Sequence, residues 1–306
     1  MDIKFTKLEG AGNDYFYLDA INDLPACVSD DTDFYRELAV KISDRHFGAG
    51  SDGIIIILPP SRGVSEPDGG GSSVKADFRM RMFNADGSEG EMCGNGIRCF
   101  AKYIYDRHLT DKKIINIETL AGVKTVEVFL NPGTGTVKEA RVFMGIPQFK
   151  TEAVPAVFAK PEIINEKISA GGKEFELSCV SMGNPHCAVF VEDVKSFDVH
   201  FYGSLIENNK MFPKRINVEF VQVMDDKNVL VRTWERGSGE TLACGTGACA
   251  VYSVMRKTGR IKESALNVNL YGGTLKISGE LDEGVYMVGP AEEVFTGSFN
   301  FDYKIS

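Results

Sequence analysis

The chain lacks most of the features that mark specialised protein classes. Its seven cysteines (27, 93, 99, 179, 187, 244 and 249) are odd in number and contain no CxxC pair. A disulfide framework or a structural zinc site would need closer, paired spacing. Long hydrophobic runs are also missing: the densest, Ile54-Ile55-Ile56-Ile57-Leu58, ends at Pro59, far short of a membrane-spanning helix. Positive charge is in the minority, with 34 Lys and Arg against 43 Asp and Glu. A formal charge of −9 argues against nucleic acid or an anionic membrane as the main partner. The start, Met1-Asp2-Ile3-Lys4-Phe5, has no basic-then-apolar signal segment, so a cytoplasmic location is expected. No P-loop or HExxH pattern occurs, and neither a metal nor a cofactor is signalled.

What is present reads as a globular protein, 43% hydrophobic and 25% charged over 306 residues, long enough for two domains. The expected division is 1–146 together with a returning strand at 290–306, and 147–289. Alternating apolar and polar residues predict strands at 76–83, 113–119, 123–130, 186–191, 216–223 and 228–234, with more at 266–270, 274–278 and 285–288. Gly and Asn turns between them point to antiparallel or mixed sheet with few βαβ crossovers. Ile97, Phe100, Ala101, Ile104 and Tyr105 make one helical stripe, and Ala248, Val251, Tyr252 and Met255 make another. Further helices are expected over 33–43 and 197–208. The polar, Gly-rich stretch 59–73 reads as a surface loop.

The strongest signal is a duplication. Met92-Cys93-Gly94-Asn95-Gly96 and Ala243-Cys244-Gly245-Thr246-Gly247 each place a cysteine before Gly-x-Gly and a helical stripe. Upstream of each lies an Asn turn before an apolar strand, Gly12-Asn13-Asp14-Tyr15 and Gly183-Asn184-Pro185-His186. Asn84 precedes Cys93 by nine residues, and Glu235 precedes Cys244 by nine. A thiol at a helix start meets backbone N–H groups and a dipole that favour thiolate. Two such groups suit inversion at an α-carbon, one removing a proton as base and the other delivering one as acid. The N–H groups of the two helix starts would hold a carboxylate and the charge that develops on it.

These motifs, with Phe83-Asn84-Ala85-Asp86-Gly87-Ser88, Arg215-Ile216-Asn217-Val218-Glu219 and Trp234-Glu235-Arg236-Gly237-Ser238-Gly239-Glu240-Thr241, resemble the diaminopimelate epimerase family along essentially the whole chain. The resemblance implies an α/β (α+β) fold of two pseudo-symmetric halves. Each would be a mixed or antiparallel β-barrel around a central helix, with the active site in the cleft between them. It implies a PLP-independent isomerase that interconverts LL- and meso-2,6-diaminopimelate in lysine and peptidoglycan-precursor synthesis, and a homodimer. Cys93 and Cys244 would be the catalytic pair, with Glu235 and His186 beside the reacting centre. Asn13, Asn84, Asn184, Asn217, Glu235 and Arg236 would bind substrate. Backbone N–H groups of Gly94, Asn95, Gly245 and Thr246 would hold the reacting carboxylate. No cofactor or metal is implied.

Two other readings stay open at this point. A racemase of proline, hydroxyproline or histidine would share the two-cysteine logic without needing the Asn and Glu-Arg set. A thiol redox protein could join Cys93 to Cys244, but would have no use for so many asparagines. A binding module would have no use for duplicated thiols.

Overall fold

The computed structural model describes residues 1–25, 28, 31–61, 65–67 and 73–303. Cys27 and, within the loop expected over 59–73, residues 62–64 and 68–72 lie outside them. The chain divides into two compact units, Met1–Val142 with Gly289–Ser306, and Phe143–Val288.

The first unit runs β1 (Asp2–Gly10), β2 (Asn13–Asp19), α1 (Thr32–Ser43), β3 (Gly53–Leu58), a small hairpin β4–β5 (Ser65–Pro67 and Ser73–Lys75), β6 (Phe78–Asn84), β7 (Glu89–Gly90), α2 (Gly94–Asp106), β8 (Ile114–Thr119), β9 (Gly122–Leu130) and β10 (Val137–Gly145). The second continues through a 3-10 turn (Thr151–Ala153), β11 (Glu166–Ala170), β12 (Lys173–Ser181), β13 (Pro185–Phe190), α3 (Val199–Glu207), β14 (Asn217–Asp225), β15 (Asn228–Glu235), β16 (Gly239–Thr241), α4 (Gly245–Lys257), β17 (Ala265–Leu270), β18 (Gly273–Glu280) and β19 (Gly284–Pro290). The last strand, β20 (Glu292–Asn300), returns to the first unit and pairs antiparallel with β1, with Asp2 opposite Asn300.

The two units repeat one plan. In the first, β1 and β2 pair antiparallel, β2 and β3 parallel, β3 and β6 antiparallel, β6 and β8 parallel, and β8 and β9 antiparallel. In the second, β12 and β13, β13 and β14, β14 and β15, β15 and β17, and β17 and β18 follow the same sequence of senses. Each parallel pair needs a crossover, and α1, α2, α3 and α4 supply them. The sheets therefore hold two βαβ units each, so that each unit is a mixed sheet. The β4–β5 hairpin sits in the β3–β6 connection and has no counterpart between β14 and β15.

Helices α2 and α4 are the central ones. Residues Gly94–Ile104 of α2 are all buried, and the helix packs against β1, β2, β3 and β9. Helix α4 packs against β12, β13, β14, β17 and β18. The strands enclose α2 so fully that even Asn95, Arg98 and Lys102 are buried. The run Gly53–Leu58 is buried along its length because α1 and α2 both pack on β3, the pattern of a strand covered on both faces. The outer helices start alike. Asp31 caps α1, its carboxylate accepting from the N–H groups of Asp33 and Phe34, and Asp198 caps α3 by accepting from Phe201 N–H.

Candidate active site

Cys93 and Cys244 stand at the same point of the two plans. Each is the N-cap residue of its central helix, with extended backbone (φ −121° and −123°). Each sulfur accepts an N–H from the residue three further on, Gly96 or Gly247, at 3.3 Å. That third residue has no room for a side chain. A β-carbon on Gly96 would lie 2.7 Å from Ile55 Cδ1, and one on Gly247 would lie 2.6 Å from Glu219 Oε1. Both contacts are with side-chain ends, of Ile55 on β3 and Glu219 on β14, which an added β-carbon would have to displace.

Around Cys93 the first unit gathers Asn13, Asp52, Tyr15 and Arg98. Asn13 opens β2, and its Oδ1 accepts the Cys93 thiol at 3.1 Å. Its Nδ2 donates to Asp52 Oδ2 at 2.7 Å, and Asp14 N–H donates to the same oxygen at 3.1 Å. Arg45 reaches Asp52 Oδ1 at 3.2 Å. Arg98, fully buried, donates to Asn95 Oδ1 at 2.9 Å and to the carbonyls of Gly94 and Pro290. Asn84, the last residue of β6, donates through Nδ2 to Ser88 Oγ at 3.0 Å. Gly94 and Asn95 form the first turn of α2 and are buried.

Around Cys244 the second unit gathers His186, Asn184, Glu219, Glu235 and Thr246. His186 and Glu219 are both fully buried, on neighbouring parallel strands, with Nδ1 and Oε1 2.7 Å apart. His186 Nε2 faces Asn184 Oδ1 at 2.9 Å, and Asn184 Nδ2 donates to Thr246 Oγ1 at 3.4 Å. The Thr246 hydroxyl is 3.5 Å from Cys244 Sγ. Glu235 ends β15 and accepts the Thr241 hydroxyl at 2.6 Å. Asn217 binds the Pro185 carbonyl through Nδ2, and its Oδ1 accepts Arg236 N–H at 2.8 Å. The Arg236 side chain is exposed and donates to the Lys214 carbonyl at 3.3 Å. Gly245 is buried and Thr246 half-buried at the first turn of α4.

Burial overturns one expectation. A helix start favours thiolate, yet both thiols are pushed up. At Cys93, burial outweighs the N–H groups of Gly96 and Asn95 and the nearby Arg98. Cys244 is pushed well above the usual thiol range, by burial and then by the carboxylates of Glu235 and Glu219. Glu235 is itself raised, chiefly by burial. At both corners the desolvation cost of a thiolate exceeds what the neighbouring donors return.

His186, Glu219 and Cys244 bring one ligand atom each within 4.8 Å of one another, the one such group among the described residues. His186 Nδ1 and Glu219 Oε1 form a hydrogen-bonded pair beside the Cys244 thiol, and Glu219 Oε2 has no partner among the described residues. The remaining cysteines of the two helices, Cys99 and Cys249, are buried core residues, as is Cys187 in β13.

Three residues escaped sequence reasoning as functional groups. Asp52 lies 39 positions from Asn13 and carries no local signal. Glu219 does carry one, a lone charge inside the apolar run Val218-Glu219-Phe220-Val221. Glu207 is buried, accepts Trp234 Nε1–H at 2.7 Å and Gly237 N–H at 2.9 Å, and so fixes the turn that bears Arg236.

Two matched thiol-capped helices, each wrapped by a mixed sheet, define a class of fold already known among solved structures. A probable proline racemase from Agrobacterium radiobacter K84 superposes with a TM-score of 0.68 over 98% of this chain and 93% of that one, at 13% identity. That likeness is one of fold; the sequence itself points to a family. It matches the pattern of the diaminopimelate epimerase family over residues 5–149 and 178–294. It is 46% identical to a diaminopimelate epimerase of Methanococcus maripaludis over 299 residues, 97% of this chain and 100% of the relative. Against one from Acetivibrio thermocellus it is 45% identical over 301 residues, covering 98% and 99%. The chain belongs to the diaminopimelate epimerase family.

Proposed function

We propose that the protein interconverts LL- and meso-2,6-diaminopimelate by two-base proton transfer between the α-carbon and the thiols of Cys93 and Cys244. The observation that carries this reading is the pair of helix-capping thiols with matched N–H contacts, in a chain that follows the family nearly end to end. One sulfur, as thiolate, takes the α-proton, and the other, as thiol, delivers one to the opposite face. The N–H groups of Gly94, Asn95, Gly245 and Thr246 hold the reacting carboxylate. Glu235 and His186 stand beside Cys244 to hold the α-ammonium and tune the sulfur. Asn13, Asn84, Asn184 and Asn217 supply polar contacts to the substrate, and the exposed Arg236 guanidinium suits its distal carboxylate. The six described cysteines are all free thiols, in keeping with work in the reducing cytoplasm.

The test is turnover of LL-diaminopimelate by purified protein in deuterated water, without added pyridoxal phosphate or metal. The meso isomer should form with solvent deuterium at the inverted α-position, read by chiral chromatography and mass spectrometry. Faster turnover of proline or histidine than of diaminopimelate would remove the substrate assignment.

A further inference from the structure

The equivalent asparagines of the two units are turned in opposite senses. Asn184 presents its oxygen to His186 and its amide N–H to Thr246, on the Cys244 side. Asn13 does the reverse, its oxygen on Cys93 and its amide N–H on Asp52. A carboxylate only accepts, so Asp52 fixes which end of the Asn13 amide faces the sulfur. A carbonyl oxygen at 3.1 Å can be satisfied by a thiol and is repelled by a thiolate. From this we propose that Asp52 is a positioning residue: acting through Asn13, it holds Cys93 in its thiol form.

The groups facing Cys93 come from each element around it. Strand β2 offers the phenols of Tyr15 and Tyr17, both pushed well above their usual range by burial and so neutral, and the Tyr15 hydroxyl bonds to the sulfur in favour of thiolate. Helix α2 offers the Arg98 guanidinium and the N–H groups of Asn95 and Gly96, which act in favour of thiolate. On β1, Glu9 is occupied by Gly12 N–H at 2.8 Å. The residues of β3 and β9 beneath the helix, Ile55, Val126 and Val128 among them, are apolar. Asp52 is thus the anionic group wired to this sulfur, while Arg45, and Lys7 through Asp14, partly balance it. Removing its charge and freeing Asn13 to turn both act in one direction, toward an easier thiolate. Burial of Cys93 itself pushes the thiol up as well.

The inference rests on the reading of Cys93 as one of two bases, but its test needs no substrate. The pH dependence of iodoacetamide alkylation is measured separately at Cys93 and Cys244 by peptide mass spectrometry. The midpoint of each profile reports ionisation and is not moved by accessibility. In Asp52→Ala the Cys93 midpoint should fall, raising its alkylation at neutral pH on the order of tenfold, while the Cys244 profile stays in place. Asp52→Asn keeps an acceptor for Asn13 and loses only the charge, so it should lie between wild type and Asp52→Ala. A Cys93 midpoint that is unmoved or raised overturns the proposal, and so does a Cys244 midpoint that falls with it. Should Asp52→Ala fail to fold, Asp52→Asn decides alone: a lowered Cys93 midpoint supports the proposal and an unmoved one ends it. A failed epimerisation assay would sink the functional reading while leaving these profiles interpretable.

Discussion

The corner around Cys93 and the corner around Cys244 share a backbone and differ in almost everything behind the sulfur. Two residues past the Asn turn stands Tyr15 in one and His186 in the other. Against the glycine of the helix start lies Ile55 in one and Glu219 in the other. Five residues past the cysteine, Arg98 in the first unit answers to Cys249 in the second. One corner therefore has a guanidinium beneath its thiol, and the other has a buried imidazole–carboxylate pair in which Glu219 Oε2 has no partner among the described residues. Duplication supplies two sulfurs with the same geometry. The substitutions make them chemically unequal, which a reaction that moves a proton from one face to the other can exploit.

The largest expected effect comes from breaking the shared part. Cys93→Ala and Cys244→Ala should each lower epimerisation by roughly 10²–10⁴-fold or more, measured as meso isomer formed per minute. Cys99→Ala should keep most of the activity, because Cys99 is a buried core residue whose thiol burial pushes up to about 12. If either single mutant of the pair retained full turnover, the two corners would not be partners.

Next is the packing that differs. Ile55→Ala should destabilise the protein by about 2–5 kcal/mol, since Ile55 is fully buried beneath α2, as read from urea denaturation. The loss should exceed that of any surface substitution on the same strand pair.

A pH arm tests the burial of the thiols directly. Cys244, Cys187 and Cys179 are all pushed up, mainly by burial. Their folded values lie above the unfolded ones, so the folded state binds more protons once pH passes the ordinary thiol range. The stability they contribute is complete below about pH 9 and is lost as pH rises toward their folded values, on the order of 1 kcal/mol per thiol by one unit above it. Thermal melts should stay level in this respect up to about pH 9 and fall beyond it. A melting temperature that rises between pH 9 and 10 would contradict the burial argument.

The smallest effect concerns a feature the units keep in common. Asp31→Ala and Asp198→Ala remove the side-chain caps of α1 and α3, and each should cost about 1 kcal/mol. Similar losses in both would show that the outer helices, unlike the thiol corners, have stayed equivalent.

Much of this was legible locally. The apolar stripes after Cys93 and Cys244 place both helix starts to within a residue, because a glycine-rich cap and a 3.6-residue period are properties of adjacent positions. The alternating strands at 114–119, 122–130 and 228–235 were legible for the same reason. The Asp52–Asn13 link was not, because it depends on β2 and β3 lying side by side in parallel, with Phe16 beside Ile54. His186 and Glu219 likewise meet only through the parallel register of β13 and β14.

By itself, then, the sequence determined that there are two matched thiols, each at the head of a helix, and that Asn, Glu and Arg residues accompany them. Spacing along the chain is enough for that, since caps, periods and repeats are short-range. Only the tertiary structure decided how each thiol is tuned. Desolvation depends on the strands that enclose the sulfur, and the sense of a hydrogen bond depends on which distant carboxylate anchors the far end of the amide. Asp52 anchors it for Asn13, whereas at Asn184 the corresponding place is taken by His186 on Glu219.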